Sequence, residues 1–502
     1  MASPHLGGNM SSSGSAVDKT YKMLIGGDWV LGDEGTTPII NPATEEIVGY
    51  APEASVAQAE AAAQAAQDAF PKWWRTPPAE RARLLQALAD TLRERQGDLV
   101  PLIISETGAT AMVGSRMQVP VAIERFERYA KSAARSLDIA LPPSAMQATP
   151  LAAGGLIGGV VQRQPVGVVA CISPYNFPVV NMAGKIAPAL AVGCTVVMKP
   201  APQDPLAVIE LAEIMHEVGF PPGVINIITS SSPAPAAALT TSRNVDMVSF
   251  TGSTGVGVRI MEAGAATMKR QLLELGGKGA GLVLHDADIA KAVSAIQSVW
   301  AFHSGQICTA PTRAIVHRSR YDELVAALAN VAPNLKVGDP TAMDTLVGPV
   351  ISAAQRGRIE GYIQAGADEG AEIIVDGRRP AHMERGFYVA PTLIAGCTST
   401  MTPVQEEIFG PVVVVVPFDD EEEGIAIANS TEFGLYDYVF SQDSDRAYKI
   451  ARQLRSGNVG INSAQRNHEA PFGGFKMSGV GRDGGDFGML CYTEMQSIIW
   501  PG

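Results

Sequence analysis

The sequence predicts an α/β protein: two units of alternating strands and helices, with a small β extension. Three observations carry that expectation. Short β-branched runs recur between amphipathic stretches of helix length, the pattern of a parallel sheet covered on both faces. They recur in two blocks, one from about Val166 to Gly276 and one from about 279 to 476. Two further segments, 147–165 and the closing YTEMQSIIW, read as strands but fit neither block.

Residues 53–70 are Ala-rich at helical spacing, and 78–97 place Leu84, Leu85, Leu88 and Leu92 on one face, so both are expected helices. VGVVACIS, starting at Val166, is continuous and β-branched, as a buried strand should be, and a helix is expected from about Val179. CTVVMK, a helix over 204–219, VINII, VDMVSF, a helix after Gly252 and QLLELG complete the first block. Crossovers of this length favour a doubly wound, Rossmann-like sheet. The second block holds a helix over 287–303, the strand TRAIVH, a helix over 320–332, the strand VVVVVPF and a helix over 443–456. The segment 147–165 has a Gly-Gly turn signal, and the C-terminal run alternates like an edge strand. An exposed apolar edge is a liability unless paired, so both are expected to pair with another subunit. The domain plan is a Ser/Gly-rich tail over 1–18, a first unit over 19–146 and 166–276, a second over 277–477, and oligomerisation strands over 147–165 and 489–502.

Composition narrows the function. A chain of 502 residues, 46% of them apolar, can bury large cores without disulfide or metal staples. The net charge of −13 offers no basic footprint for a nucleic acid and argues against an anionic membrane surface. The most hydrophobic short run, Val412 to Val416, is stopped by Pro417 and then by acids, so no membrane span is expected. Cys171, Cys194, Cys308, Cys397 and Cys491 are scattered and form no C-x-x-C pair. That speaks against a zinc site and a disulfide framework, and for a reducing cytoplasm. The tail lacks the basic and apolar regions of a signal peptide.

Six motifs carry candidate chemistry. SPYNFP follows a buried strand, where parallel sheets bind ligands, and Asn176 there can aim an amide donor into a cleft or simply make a turn. VVMKP places Lys199 at a strand end, able to hold a ribose or phosphate, or lying on the surface. FTGSTGVG offers backbone N–H groups around Gly252 and Ser253 at a helix start, suited to a pyrophosphate, although its spacing is not G-x-G-x-x-G. LELGGK sets Glu274 between leucines, where burial raises a carboxyl pKa and suits a general base; a salt bridge is the ordinary alternative. FHSGQICTAPTR holds Cys308 in a small-residue loop whose free amides can supply thiolate character, against the usual fate of cysteine as inert core. His303 in the same run suggests a Cys–His dyad but sits at an amphipathic helix end. PVQEEIFGPV offers the Glu407 carboxylate to ribose hydroxyls and Phe409 to a ligand ring.

In this order the strings SPYNFPVVNMAGKIAPALAVGCTVVMKPA, FTGSTGVG, LELGGK, GQICTAPTR, EEIFGPVV and PFGGFKMSGVGR resemble the aldehyde dehydrogenase superfamily, and the likeness runs from INPATEEIVG to YTEMQSIIW. The resemblance implies oxidation of a small-molecule aldehyde to its acid, of the hydrolytic type, with NAD as cofactor and NADP also accepted, in a homo-oligomer (dimer or tetramer). It implies Cys308 as nucleophile, Asn176 as oxyanion donor, Glu274 as general base, and Lys185 in positioning or proton transfer. Lys199 would bind the adenosine ribose, Gly252 and Ser253 would lie by the pyrophosphate, and Glu407 and Phe409 would hold the nicotinamide ribose and ring. The glutamate that many NAD-preferring members carry three residues after the strand-end lysine is Pro202 here, the frequent Glu after the C-terminal GR is Asp483, and Tyr175 stands where Trp is common.

By the same resemblance Phe177, Asn181, Ile307 and Thr309 line the aldehyde channel, together with the polar stretch Gln465, Arg466, Asn467 and His468. Arg466, if it points inward, can clamp a carboxylate at the far end of a semialdehyde; otherwise it faces solvent or pairs with Glu469. Gly184 stands where succinate-semialdehyde members often carry arginine, which counts against that substrate. Competing readings are a coenzyme A-acylating dehydrogenase or an activated-carboxyl reductase, which Glu274 disfavours, and a non-catalytic structural relative, which Cys308 disfavours.

Overall fold

Eight strands make the first sheet of the computed structural model, which describes residues 19–501; the expected tail over 1–18 lies outside the described residues. Across the sheet the strands are Gly479–Val480, Arg270–Glu274, Met247–Thr251, Val168–Ile172, Thr195–Lys199, Ile225–Ile227, Met23–Ile25 and Asp28–Val30. The five from Arg270–Glu274 to Ile225–Ile227 are parallel. The chain lays down Val168–Ile172, moves outward through Thr195–Lys199 and Ile225–Ile227, then returns to the other side with Met247–Thr251 and Arg270–Glu274. The direction of winding therefore switches between Val168–Ile172 and Met247–Thr251, and a ligand crevice opens beyond the carboxyl ends of such a pair. This is the expected doubly wound unit.

The covering helices follow from their sequence. Val56–Trp74 starts at a capping box between Ser55 and Gln58 and buries Ala59, Ala62, Ala63 and Ala66. Those alanines join the core with Val168, Ala170, Val197 and Val248, the small side chains allowing close approach to the strands. On the other face, Pro178–Val192 starts with proline in its first turn, where a missing N–H costs nothing, and is buried along almost its whole length.

The second sheet runs Glu372–Val375, Thr392–Ala395, Val412–Phe418, Arg313–His317, Ala280–Val283, Tyr436–Phe440 and Asn458–Ile461. All its pairings are parallel except that of Glu372–Val375 with Thr392–Ala395. Leu275 to Gly279 bridge the sheets, so the carboxyl end of the last first-sheet strand leads directly into the second unit. One expected element breaks: the helix over 287–303 is Ile289–Ile296 followed by Ser298–Ala301. His303, Ser304 and Gly305 then take φ of 52°, 53° and 74°. Apolar spacing does not encode this reversal, which turns the chain toward Cys308.

The extension departs from expectation more clearly. Thr493–Pro501 pairs along its whole length with Gly155–Pro165, which pairs on its other side with Ile139–Met146. The segments 147–165 and 489–502 were expected to find partners in another subunit; within the chain their strands pair with each other, and Thr493–Pro501 is left as an edge of this sheet. Ile139–Met146, placed in the first unit from sequence, is the third strand, and residues 147–154 are connection rather than strand.

Candidate active site

The site lies at the seam between the sheets, where the fold brings four loops together. The first follows Val168–Ile172 and carries Asn176. Its side-chain Nδ2 donates to the backbone carbonyl of Gln306, at 2.8 Å, two residues before Cys308. Its Oδ1 accepts from Phe177 N at 3.0 Å and from Asn181 Nδ2 at 3.3 Å. The amide is thereby fixed with one hydrogen engaged and one left over.

The second loop carries Cys308, which is half-buried. Gln306 is its anchor: Oε1 accepts from Ile351 N at 3.0 Å, and Nε2 donates to the His303 carbonyl at 3.3 Å. On the far side of Cys308, Tyr438 Oη donates to the Thr309 carbonyl at 2.8 Å. Burial pushes the Cys308 thiol up to about 12, with Arg466 acting against the shift and Glu407 and Glu274 adding to it. His303 is no dyad partner. It is buried, its ring packs on Phe177 with centroids 5.3 Å apart, and burial holds it neutral down to about pH 4.

The third loop is the bridge after Arg270–Glu274. Glu274 is 4% exposed, and neither carboxylate oxygen has a hydrogen-bond partner. Burial raises its pKa well above the carboxylate range; Asp483 adds to the rise, and Lys185, Arg482 and Arg466 oppose it. An unpartnered buried carboxyl costs stability, and such costs gather at functional sites. Gly277 explains the glycine pair of this loop: a β-carbon there would collide with the Cys308 carbonyl oxygen. Lys185, on the helix Pro178–Val192, is 1% exposed, its pKa pulled down by burial with Asp483 opposing. Its Nζ lies 3.4 Å from Ser249 Oγ, which is 2.8 Å from Tyr492 Oη.

The fourth loop carries Glu407 and Phe409. Glu407 Oε1 accepts from Gly277 N at 2.8 Å, fastening this loop to the bridge. Phe409 has a left-handed φ of 57°, held by Gln355 Nε2 donating to the carbonyls of Ile408 and Phe409 at 3.1 and 2.9 Å. Its ring meets Tyr175 edge-on at 5.9 Å.

The remaining cofactor candidates line the switch-point crevice of the first sheet. Lys199 ends the strand Thr195–Lys199, and burial lowers it to about 8 against the pull of Glu53 and Asp204. Pro202 lies in the following turn and offers no carboxylate. Glu53, though, is near enough to act on Lys199, so that neighbourhood is not free of acids as Pro202 alone suggested. Gly252 follows Met247–Thr251, and Ser253 is the N-cap of the helix Thr254–Gly264 with no side-chain hydrogen bond to its first turn. The opening N–H groups of that helix remain available to an anion. The crevice offers what a dinucleotide needs: a lysine at the end of Thr195–Lys199, an uncapped helix start after Met247–Thr251 across the intervening strand, and Glu407 and Phe409 on the loop fastened to the bridge.

Of the expected channel residues, Phe177, Asn181, Ile307 and Thr309 surround Asn176 and Cys308 in sequence and contact. Arg466 is exposed to solvent, yet its guanidinium turns toward the nucleophile's loop. It donates to Thr309 Oγ1 and lies over the rings of Phe472 and Tyr436, at 4.6 and 5.6 Å. Its supposed alternative partner Glu469 is taken by Arg128, whose Nε donates to it at 2.9 Å. Gly184 is not an empty place. A β-carbon there would overlap Nη1 of Arg125, which reaches across from the helix Val119–Ala133. Arg125 belongs to no recognisable motif, and nothing in the sequence marks it.

Known proteins resemble this chain along nearly its whole length. The model described as the aldehyde dehydrogenase family matches residues 29–498. A 3-succinoylsemialdehyde-pyridine dehydrogenase from a Pseudomonas species is 37% identical, over 95% of this chain and 98% of its own. Among solved structures, an NAD+ complex of aldehyde dehydrogenase from Bacillus cereus has a TM-score of 0.90 at 36% identity, covering 97% of both chains. A cysteine-to-alanine variant of aldehyde dehydrogenase C from Pseudomonas syringae, with NAD+ and octanal, also has a TM-score of 0.90 at 36% identity, covering 96% of each chain.

Proposed function

The chain belongs to the aldehyde dehydrogenase family, and from that premise we propose that it oxidises an aldehyde to a carboxylic acid with NAD through a covalent intermediate on Cys308. The carrying observation is the meeting of a half-buried thiol, an anchored amide and an unpartnered carboxyl at one seam. Cys308 Sγ adds to the aldehyde carbon and forms a thiohemiacetal. The oxyanion that develops is met by the free hydrogen of the Asn176 amide and by the Cys308 backbone N–H; a preformed donor of this kind is worth about 10²–10³ in rate. Bound NAD+ supplies the acceptor for the hydride that leaves the thiohemiacetal carbon. Glu274 removes a proton from the water that hydrolyses the resulting thioester, and Lys185 sits close enough to steady its charge.

Lys199, Gly252, Ser253, Glu407 and Phe409 would hold the dinucleotide. With Pro202 in place of the ribose-directed carboxylate, NADP is accepted beside NAD, Lys199 meeting its additional phosphate. Catalytic efficiencies for the two cofactors within about a thousandfold, or about 4 kcal/mol, are expected; a wider preference for NAD removes NADP from the reading. The free, scattered thiols support a reducing compartment, the cytoplasm, as its location. No helix among the described residues is long and apolar enough to cross a membrane.

The direct test is Cys308→Ala. It is expected to lose all aldehyde-dependent NADH formation while binding NAD measurably, and Cys397→Ala is expected to keep its turnover. Near-normal turnover by Cys308→Ala would end the covalent mechanism.

A further inference from the structure

A cavity opens between the helix Val119–Ala133 and the stretch before Phe472, and Arg466 on its wall reaches Thr309. Three arginines reach it, and they are not equivalent. Arg128 is neutralised by Glu469 and Asp486. Arg125 donates from Nη1 to the Val180 carbonyl at 3.0 Å, and its nearest carboxylate, Asp483, is 3.9 Å away. Arg466 is in no ion pair among the described residues; it holds only the Thr309 hydroxyl and the faces of two aromatic rings. The cavity's own acids are Asp483, which faces Lys185 and Glu274, and Glu124, which is exposed at the rim. Arg466 thus brings to the cavity wall a guanidinium with no ion-pair partner among the described residues, hydrogen-bonded to the residue that follows the nucleophile.

We propose that this cavity is a carboxylate subsite, and that the enzyme's preferred substrates are aldehydes carrying a carboxylate at the end remote from the reacting carbon. Arg466 is one arm, prealigned by stacking on Phe472, as a planar guanidinium allows. Arg125 is the other, delivered into the space that Gly184 leaves open. The absence of an arginine at 184 therefore does not argue against a carboxylate-bearing substrate, because a guanidinium from a neighbouring helix fills that place. A site built to bind a charged group discriminates strongly against the analogue that lacks it, since its own donors are then left unpaired. Orientation follows as well: with the carboxylate held beyond Thr309, the aldehyde end points back toward Cys308. The inference rests on the aldehyde-oxidising function.

Matched pairs test it: succinic semialdehyde against butanal, and para-carboxybenzaldehyde against benzaldehyde, each with NAD. The carboxylate member of at least one pair is expected to have a kcat/KM higher by about tenfold or more. That ratio is expected to collapse in Arg125→Gln and in Arg466→Gln, mainly through KM, and to be partly kept in Arg125→Lys. Gly184→Ala, which displaces the Arg125 guanidinium, should act like Arg125→Gln. Equal efficiencies within both pairs, or a ratio unchanged by either glutamine substitution, would overturn the subsite while leaving aldehyde oxidation standing. If none of the four aldehydes is oxidised, the functional reading fails, and a binding measurement still decides the subsite. Calorimetry on Cys308→Ala should show glutarate binding more tightly than butyrate, with the difference lost on adding Arg125→Gln; no difference would refute it.

Discussion

At the scale of single residues the site is set by burial more than by pairing. The Cys308 thiol is pushed up to about 12, and the Glu274 carboxyl is raised well above its ordinary range, both chiefly by loss of solvent. The reacting forms are the thiolate and the carboxylate, so the sign is fixed. Raising a pKa shifts the loss of each proton, and with it the ascending limb of activity, to higher pH. Turnover is expected to climb with pH above the ordinary carboxylate range, with Glu274→Gln flattening the climb in kcat and leaving a first-turnover burst of NADH. A wild-type kcat that stays level there would remove Glu274 as base. Legibility was uneven at this scale. Glu274, Asn176 and Lys199 stand in short motifs at or just past strand ends, where topology leaves little choice of place, and Cys308 stands in a short motif of its own in a loop. Arg125 does not, because its meaning comes from a contact with Gly184 about sixty residues away, and a missing side chain sends no signal to its future neighbour.

At the scale of elements, caps and neighbours decided what periodicity could not. The first-sheet strands were readable because burial on both faces forces unbroken β-branched runs. Their helices were placed, but their ends moved to where Ser55 and Asp443 cap the chain. The helix Val119–Ala133 was not read, although Val119, Ala122, Ile123, Phe126, Tyr129 and Ala133 recur on one face; the strands Tyr436–Phe440 and Asn458–Ile461 were not read because Asp437 and Asn458 interrupt short apolar runs. The three-stranded extension shows the same limit: alternation identifies an edge strand, but not which edge it meets. One of its faces still carries Ile139, Met495 and Ile499, 54%, 66% and 65% exposed. Such a surface suits burial against a second copy. Sedimentation is expected to give a mass above the 52.7 kDa of one chain. Ile499→Glu should weaken association by at least about tenfold, given the roughly 1.5–3 kcal/mol that burying such a side chain contributes. A wild-type protein that sediments as a single chain would leave this face without a partner copy.

At the scale of the whole molecule, the order of winding places the chemistry. The first sheet opens its crevice where the chain reverses direction, and the bridge Leu275 to Gly279 carries the base from that crevice to the nucleophile's loop. The two-unit plan and the seam between the units follow from the alternation of strands and helices, whereas the return of Gly479–Val480 to the first sheet could not be read from so short a run. The same return ends at Tyr492, one residue before the extension's last strand begins. Its backbone carbonyl accepts from Val166 N at 3.0 Å, and its hydroxyl, through Ser249, touches the buried lysine beneath the site. The outermost strand and the innermost amine are thus tied in series through two side chains, Tyr492 and Ser249. A pull on the rim of the molecule is borne at a bolt set in the wall of its reaction chamber.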